Sequence, residues 1–171
     1  MLLICPDLIF LQVCSLLLCL CTQSRQVYGP RQNLADKFRN AIGIFINQVM
    51  RSQPITVFGD GKQTRSFSYI DDVAPVIAAS VLFPAASNEA FFVGVDDVSS
   101  VNDLAKHLCD AMGVPGYAVQ HLAARKEVAE AYASHVKMRC AFNPSKSTSL
   151  EQGLHTTIAA MKAHGSAEPK G

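Results

Sequence analysis

A chain of 171 residues is long enough for one domain with a sizeable core. Its formal net charge is +1, and it has no basic run interleaved with aromatic residues, so nothing favours binding to nucleic acid or to an acidic surface. Hydrophobic residues make up 49% of the chain and charged residues 17%, and much of the apolar excess lies in residues 1–21.

These first residues, MLLICPDLIFLQVCSLLLCLC, form an apolar leader that can be interpreted in three ways. A secretory signal needs a basic region first, but Asp7 and no Lys or Arg precedes the apolar stretch from Leu8 to Cys21. A membrane-spanning helix is weakened by four residues, Pro6, Asp7, Gln12 and Ser15. We favour the third interpretation, a segment foreign to the fold, and assign residues 1–24 to it.

Cysteine usage argues against a metal or disulfide scaffold. The leader holds four of the six cysteines, and no pair has the C-x2-C spacing of a zinc site. We expect the other two, Cys109 and Cys140, to be small buried hydrophobic residues in a reducing compartment.

The positions of glycine and proline and the spacing of apolar residues predict the elements of the first half. Val27-Tyr28-Gly29-Pro30 indicates a strand end that breaks into a turn. Apolar residues at spacings of three and four predict an amphipathic helix from about Asp36 to Ser52. Ile55 to Phe58 is predicted as a short strand, Gly59-Asp60-Gly61 as a turn with positive φ, and Arg65 to Ile70 as a second strand.

The second half alternates helices and strands in the same way. The first predicted helix is capped by Asp71 or Asp72, has Pro75 in its first turn and ends near Leu82. A strand from Ala90 to Val95 follows, and then a helix that is capped by Ser100 with Asp103 and ended by Gly113. The remaining predicted elements are a strand from Tyr117 to Leu122, a partly helical segment from Arg125 to Arg139 and a last helix from Ser149 to His164. This order predicts an α/β architecture.

The segment that carries chemistry is F-G-D-G-x-Q-x-R-x-F-x-Y-I-D-D-V, from Phe58 to Val73. Two glycines around Asp60 allow a tight reversal, and Arg65 follows on a strand. A guanidinium fixed on a strand can hold a phosphate oxygen pair in bidentate fashion. The pair Asp71-Asp72 is interpreted as a helix cap in preference to an acid/base pair, because acidic residues suit the amides and dipole at a helix start.

This segment resembles the C-terminal region of extended short-chain dehydrogenases/reductases, the NAD-dependent epimerase/dehydratase family. Three further segments agree in order: V-Y-G-P-R-Q from Val27, S-V-N-D-L-A from Ser100, and H-L-A-A-R-K-E-V from His121. The similarity covers about residues 27–163, and the wording G-D-G-x-Q-T-R with I-D-D-V is most similar to UDP-glucose 4-epimerase-like enzymes. The resemblance implies a partial Rossmann-type fold, mainly its substrate-binding portion, over residues 25–164. We expect the polar tail at 165–171 to be disordered, as chain ends commonly are.

The resemblance also implies a set of substrate-binding residues. Arg65 and Arg125 match arginines that contact the diphosphate of the nucleotide sugar from two sides. The backbone at Thr56 and Phe58 matches positions that lie against the uracil or thymine ring. Gln26 stands where the family has an asparagine that touches the substrate, so the chain departs from the family pattern at that contact.

Two motifs of the family are missing from this sequence. It has no G-x-x-G-x-x-G run for NAD, and no tyrosine is followed by lysine four residues later, as the Y-x-x-x-K catalytic pair requires. We therefore expect no catalytic residues, no cofactor bound by this chain alone although the family uses NAD, and no metal.

The leading hypothesis is a truncated nucleotide-sugar epimerase that keeps part of a UDP- or dTDP-sugar site, binds weakly and is inactive alone. The alternative is a non-catalytic interaction protein that forms an oligomer with a full-length epimerase or with a partner supplying the cofactor lobe. The family implies a cytoplasmic location, and residues 1–21 keep a secretory or membrane-tethered form as the other interpretation.

Overall fold

The computed structural model describes residues 9–13, 18–23, 26–33, 40–86, 89–125, 129–144 and 147–163. The rest of the apolar leader and the predicted tail at 165–171 lie outside these ranges. None of the helices in the described ranges is both long and apolar enough to cross a membrane.

Ten short strands lie in the described ranges. The strands are β1 (Ile9–Val13), β2 (Leu18–Gln23), β3 (Val27–Tyr28), β4 (Ile55–Phe58), β5 (Thr64–Ser66), β6 (Ser68–Tyr69), β7 (Ala90–Phe92), β8 (Val98–Ser100), β9 (Val119–Leu122) and β10 (Glu130–Ala131).

These strands pair mainly in parallel. The parallel pairs are β2 with β7, β3 with β6, β4 with β9 and β5 with β10, whereas β1 with β2 and β5 with β8 are antiparallel. Parallel strands need a crossover connection between them, and the helices supply it. The α/β prediction is confirmed.

Five α-helices lie in the described ranges, with a short 3-10 turn at Pro84–Ala86. The helices are α1 (Ala41–Met50), α2 (Ile70–Ser80), α3 (Val101–Met112), α4 (Val136–Phe142) and α5 (Leu150–Ala163).

Helix α1 begins later than its periodicity predicts, because Asn40 caps it. The Asn40 side-chain oxygen accepts a hydrogen bond from Gly43 N at 3.1 Å, and its Nδ2 donates to Val27 O at 2.7 Å. The cap therefore ties the helix start to strand β3. The first part of the predicted helix, residues 36–39, lies outside the described residues.

The predicted strand from Arg65 to Ile70 is two strands in different sheets. β5 pairs with β8 and β10, whereas β6 pairs with β3. Phe67 stands between them and is buried. The chain therefore leaves the sheet that contains Arg65 and joins the sheet that contains Tyr28.

The start of helix α2 corrects two predictions. Tyr69 is its N-cap residue and makes no side-chain capping bond, so neither aspartate caps the helix. Asp71 and Asp72 lie in the first turn, and Asp72 instead accepts hydrogen bonds from Thr148 N at 2.9 Å and Thr148 Oγ1 at 3.0 Å. Pro75 lies beyond the first turn, inside the helix, where it removes one main-chain donor.

The ends of helix α3 agree with the predictions. Ser100 Oγ accepts from Asp103 N at 3.0 Å and donates to the Asp103 carboxylate at 2.6 Å, and this bond to Ser100 is the main reason that the pKa of Asp103 is lowered. Gly113 ends the helix in the left-handed conformation with φ of 79°. The capping box and the glycine end were therefore readable from the sequence.

Helix α5 packs on strand β3 through a glycine. Leu154 and Ile158 are buried on its inner face, as its periodicity predicts. A Cβ at Gly153 would overlap the Tyr28 hydroxyl and lie 2.9 Å from Tyr28 Cζ, so a larger residue would push the ring away. Tyr28 Oη donates to Leu150 O at 3.3 Å, and burial raises the pKa of its phenol.

Two apolar clusters form the core. The larger one joins α1, α3 and α5 to β4, with Ile46, Ile55 and Leu104 fully buried or nearly so. The smaller one joins α2 and α4 to β7 around Phe91 and Val93. Cys109 belongs to the larger cluster, as predicted for both cysteines, but the prediction is wrong for Cys140, which is exposed. Cys140 lies on the outer side of a short helix with only one buried residue.

Candidate functional site

Strand β4 presents one of its edges away from the sheet. Ile55 N donates to Ala118 O at 2.9 Å and Gly59 N donates to Leu122 O at 3.0 Å, so alternate residues of β4 bond to β9. In such a ladder the N–H and C=O of the residues between them point to the opposite edge. The main-chain groups of Thr56 and Phe58 therefore face away from β9.

Two glutamine side chains occupy part of this edge. Gln48 Oε1 accepts from Thr56 N at 3.0 Å, and Gln48 Nε2 donates to Thr56 Oγ1 at 2.7 Å. Gln63 Nε2 donates to Phe58 O at 3.0 Å. Within the described ranges, the Thr56 C=O and the Phe58 N–H have no such partner. An acceptor and a donor thus lie side by side on the edge of β4.

Arg125 lies directly against this edge strand. Strand β9 pairs Leu122 with Phe58, and the chain then turns so that the Arg125 guanidinium carbon is 3.4 Å from the centroid of the Phe58 ring. Arg125 is itself exposed. The structure therefore brings together three of the four predicted site residues: Thr56, Phe58 and Arg125.

Arg65, the fourth predicted residue, follows on strand β5. Its Nη1 donates to Thr64 O at 2.8 Å and to Ala129 O at 3.2 Å, and its main chain pairs with Ala131 of β10. These bonds hold the half-buried guanidinium close to its own strand. The sequence correctly predicts a strand position for Arg65, but not its contact with Ala129.

The turn between Phe58 and Arg65 has the predicted conformation. Gly59 and Gly61 have φ of 73° and 72°, which an L side chain adopts only with strain. His121 Nδ1 lies 2.8 Å from Gly59 O; since a carbonyl only accepts, this nitrogen carries the proton. The glycines therefore allow the tight turn, and the hydrogen bond from His121 of β9 holds it in place.

Gln26 lies directly before strand β3 and is bonded to strand β6. Its main-chain oxygen accepts from Ser68 N at 3.2 Å, and its φ is 60°. Its side-chain Oε1 is buried and has no partner among the described residues. The chain keeps a buried polar group at the position where the family has asparagine.

A cavity of about 330 Å³ lies beside the turn, between α3 and β9. Its lining includes Asp60, Lys106, Cys109, Tyr117 and His121, and none of the four predicted site residues. Burial raises the pKa of the Cys109 thiol, which keeps it protonated and a poor nucleophile. The thiol of Cys109 is therefore not suited to act as a nucleophile in this cavity.

A second polar cluster joins the loop after β7 to helix α4. Asp96 Oδ1 accepts from His135 N at 3.1 Å and is 2.8 Å from His135 Nδ1, and Arg139 pairs with the other carboxylate oxygen. Burial lowers the pKa of His135. A Cβ at Gly94 would lie 3.0 Å from His135 Nε2 and 2.7 Å from Ser68 Oγ, so this packing requires glycine. These contacts hold the loop after β7 against helix α4, which is a structural role.

Sequence analysis did not identify Gln48, Asn102, His121 or the Asp96–His135 pair. Gln48 could have been noticed as a polar residue next to the apolar stripe of a helix, but its partner Thr56 is set by packing.

The described residues contain no group of three or more His, Cys, Asp or Glu arranged to hold a metal ion.

Comparison with known proteins assigns the family. The model of the "NAD dependent epimerase/dehydratase family" matches residues 19–94. A putative UDP-glucose 4-epimerase of Methanocaldococcus jannaschii is 30% identical over 136 residues, which are 80% of this chain and 43% of that protein. The uncharacterized UDP-glucose epimerase YtcB of Bacillus subtilis is 31% identical over 135 residues, 78% of this chain and 41% of its own length. The chain thus spans less than half the length of these relatives.

Solved structures agree with the sequence relatives. UDP-glucose 4-epimerase of Thermotoga maritima, solved with UDP-glucose, has a TM-score of 0.76 at 27% identity, over 85% of this chain and 46% of that chain. UDP-glucuronic acid 4-epimerase of Bacillus cereus, in complex with a fluorinated UDP-glucuronic acid and NAD, has a TM-score of 0.74 at 27% identity over the same shares. The parallel α/β fold is therefore that of Rossmann-like epimerases. Residues 19–94 therefore belong to the NAD-dependent epimerase/dehydratase family of extended short-chain dehydrogenases/reductases, and the likeness to epimerases of this family extends over about 85% of the chain.

Proposed function

We propose that this chain binds the nucleoside diphosphate of a UDP- or dTDP-sugar, through the edge of β4, through Arg125 stacked on that strand and through Arg65 on β5. The observation that carries the proposal is the donor and acceptor pair of Phe58 and Thr56, with Arg125 stacked on the same strand. Similar structures contain UDP-glucose or a UDP-glucuronic acid derivative, which supports this ligand class.

The strand edge suits the base of such a ligand. Uracil and thymine present an N3–H donor beside carbonyl acceptors, so Thr56 C=O can accept from N3–H while Phe58 N–H donates to a ring carbonyl. Cytosine reverses this pattern, because its N3 accepts and its 4-position carries an amino donor. A site built to pair with one pattern discriminates strongly against the other, since a mismatch leaves buried polar groups unpaired.

The two arginines suit the diphosphate. A guanidinium presents donors in a planar fork that matches two phosphate oxygens, and two of them can neutralise the charge of the diphosphate. Arg65 is held on β5 and Arg125 on the loop after β9, so they approach from different elements. This arrangement supports the roles that the resemblance implies for them.

We propose that this chain alone does not catalyse epimerisation. The family uses NAD, and NAD sites of this fold require a glycine-rich turn between a strand and a helix. In the described residues, Gly59 and Gly61 instead form the turn between two strands, and the sequence contains no Y-x-x-x-K pair. The residues present do not fit the cofactor, so no catalytic step is assigned to them.

Calorimetric titration of the full chain with UDP, dTDP and CDP tests the binding proposal. We expect UDP and dTDP to bind weakly, because binding sites in enzymes of this type are enclosed by more of the protein than this chain supplies. We expect CDP to bind at least tenfold more weakly than UDP, which corresponds to about 1.4 kcal/mol. Absence of heat with all three ligands would refute the proposal, and equal affinity for UDP and CDP would refute the role of the β4 edge.

The second candidate function is association with a full-length epimerase that supplies the cofactor lobe. It is favoured by the share of the relatives that the chain spans, 43% for the archaeal relative. Co-expression with a UDP-glucose 4-epimerase, followed by size-exclusion chromatography with light scattering, tests it. Elution of this chain as a monomer at all mixing ratios would count against association.

We also propose a cytoplasmic location, on the family alone. Fractionation of cells that express the chain with a C-terminal tag tests it. Recovery in the membrane or secreted fraction would favour the secretory or tethered interpretation of residues 1–21.

A further inference from the structure

The N-terminus of helix α3 is joined to the turn between β4 and β5. Val101 N donates to Gln63 O at 3.2 Å, and Asn102 N donates to Gly61 O at 3.1 Å. The Asn102 side chain adds a third bond, because its Nδ2 donates to Asp60 O at 2.9 Å. The first amides of a helix lack partners within the helix, so carbonyls of the turn satisfy them.

The fit between the turn and Asn102 is close. A Cβ at Gly61 would overlap the amide group of Asn102, so the side chain occupies the space that the glycine leaves open. Gly61 also has a positive φ of 72°, which gives it a second reason to be glycine. The turn and Asn102 therefore hold each other in one arrangement.

This turn separates the two parts of the proposed ligand site. Phe58 precedes it on β4 and Arg65 follows it on β5. A nucleoside diphosphate that contacts both must find them at a fixed spacing. Binding at two linked points is strong only when the geometry is set in advance, because otherwise the ligand must order the protein.

We propose that Asn102 is a positioning residue, whose side-chain bond to Asp60 sets the spacing between the base contact at Phe58 and the phosphate contact at Arg65. This inference rests on the proposed function. Asn102 touches neither contact directly, and its effect passes through the turn.

The test compares a ligand that contacts both parts with ligands that contact one. Binding of UDP, uridine and inorganic pyrophosphate to the full chain is followed by NMR titration in the wild type, Asn102→Ala and Asn102→Asp. Asn102→Asp keeps the size of the side chain and removes the amide donor. Lys106→Ala, one turn further along α3 and exposed, is the matched control.

We expect both Asn102 variants to lose about fivefold in affinity for UDP, the equivalent of one hydrogen bond. Uridine and pyrophosphate should bind them as they bind the wild type, because each needs only one part of the site. A merely structural defect would not spare these two ligands. Lys106→Ala should bind all three as the wild type does.

Two outcomes would overturn the inference. Unchanged UDP affinity in both Asn102 variants would show that the bond to Asp60 does not set the site. An equal loss for uridine and UDP would mean that Asn102 supports the base contact alone. Failure of the wild type itself to bind UDP would instead overturn the proposed function, so the two failures are distinguishable.

Discussion

The guanidinium of Arg125 covers one face of the Phe58 ring, with 3.4 Å between the guanidinium carbon and the ring centroid. Strand pairing explains the contact, because β9 places Leu122 opposite Phe58 and Arg125 follows a short distance along the chain. A cation at this distance from an aromatic face is attracted by the negative potential of the ring. The contact joins Phe58, whose main chain would bind the base, to Arg125, which would bind the diphosphate.

A double-mutant cycle of Phe58→Leu and Arg125→Ala should detect this attraction. We expect a coupling of about 0.5–1 kcal/mol in the free energy of unfolding, the usual size at an exposed site. Urea unfolding of the four proteins measures it. The matched cycle pairs Phe58→Leu with Lys162→Ala, a cation near the end of α5, and should give no coupling. Equal values in both cycles would contradict a specific stack.

Replacement of Arg65 should weaken nucleotide binding more than any loss of stability explains. Hydrogen bonds to charged groups contribute about 1.5–3 kcal/mol, so Arg65→Ala should cost roughly ten- to hundredfold in UDP affinity. Arg65→Lys should recover part of it, because lysine keeps the charge and loses the planar fork. Calorimetric titration measures both. Arg51→Ala, an exposed arginine after α1, is the control, and full affinity in Arg65→Ala would refute the phosphate role.

Asp72 and Asp71 should differ sharply in their effect on stability. Both lie in the first turn of α2 and share its dipole, but Asp72 also accepts two bonds from Thr148 ahead of α5. We expect Asp72→Ala to lower the free energy of unfolding by about 1–3 kcal/mol, whereas Asp71→Ala should change it by about 0.5 kcal/mol or less. Urea titration decides between them. Similar losses in both variants would mean that only the helix dipole matters.

Stability should fall on acidification through His135. Burial lowers the pKa of this histidine in the folded chain, so below its ordinary value of about 6.5 the unfolded chain binds a proton that the folded chain does not. Stability from this residue is complete above that value and is lost as the pH falls toward the folded pKa. The slope is at most about 1.4 kcal/mol per pH unit.

Thermal unfolding between pH 7.5 and 5.5 should therefore show a steeper loss in the wild type than in His135→Gln. His155→Gln is the control, because His155 is exposed on α5. Parallel stability curves for the wild type and His135→Gln would contradict the prediction. They would mean that Asp96 stabilises the protonated ring as strongly as burial destabilises it.

Sequence reasoning reached the local features because short-range chemistry decides them. Ser100 with Asp103 and the glycine at 113 mark the ends of α3 wherever that helix packs. Gly59 and Gly61 have positive φ because a tight reversal requires it. The family was also readable, since four motifs stand in the same order along the chain.

The errors have a common cause in long-range contacts. The sequence predicts Asp71 or Asp72 as the cap of helix α2, but Asp72 accepts its hydrogen bonds from Thr148, which is distant in sequence. The segment from Arg65 to Ile70 alternates like one strand, yet β5 and β6 pair in different sheets. Cys140 lies on a short helix whose outer side faces solvent, which no pattern of so few residues can reveal.

The sequence by itself determined the α/β class, the family and the glycine turn, because each depends on residue type and order. Only the tertiary structure decided that Arg125 stacks on Phe58, that Gln48 and Gln63 leave one acceptor and one donor on the β4 edge, and that Asn102 fixes the turn. Each of these contacts joins elements distant along the chain, and their meeting depends on how helices and strands pack around a shared core.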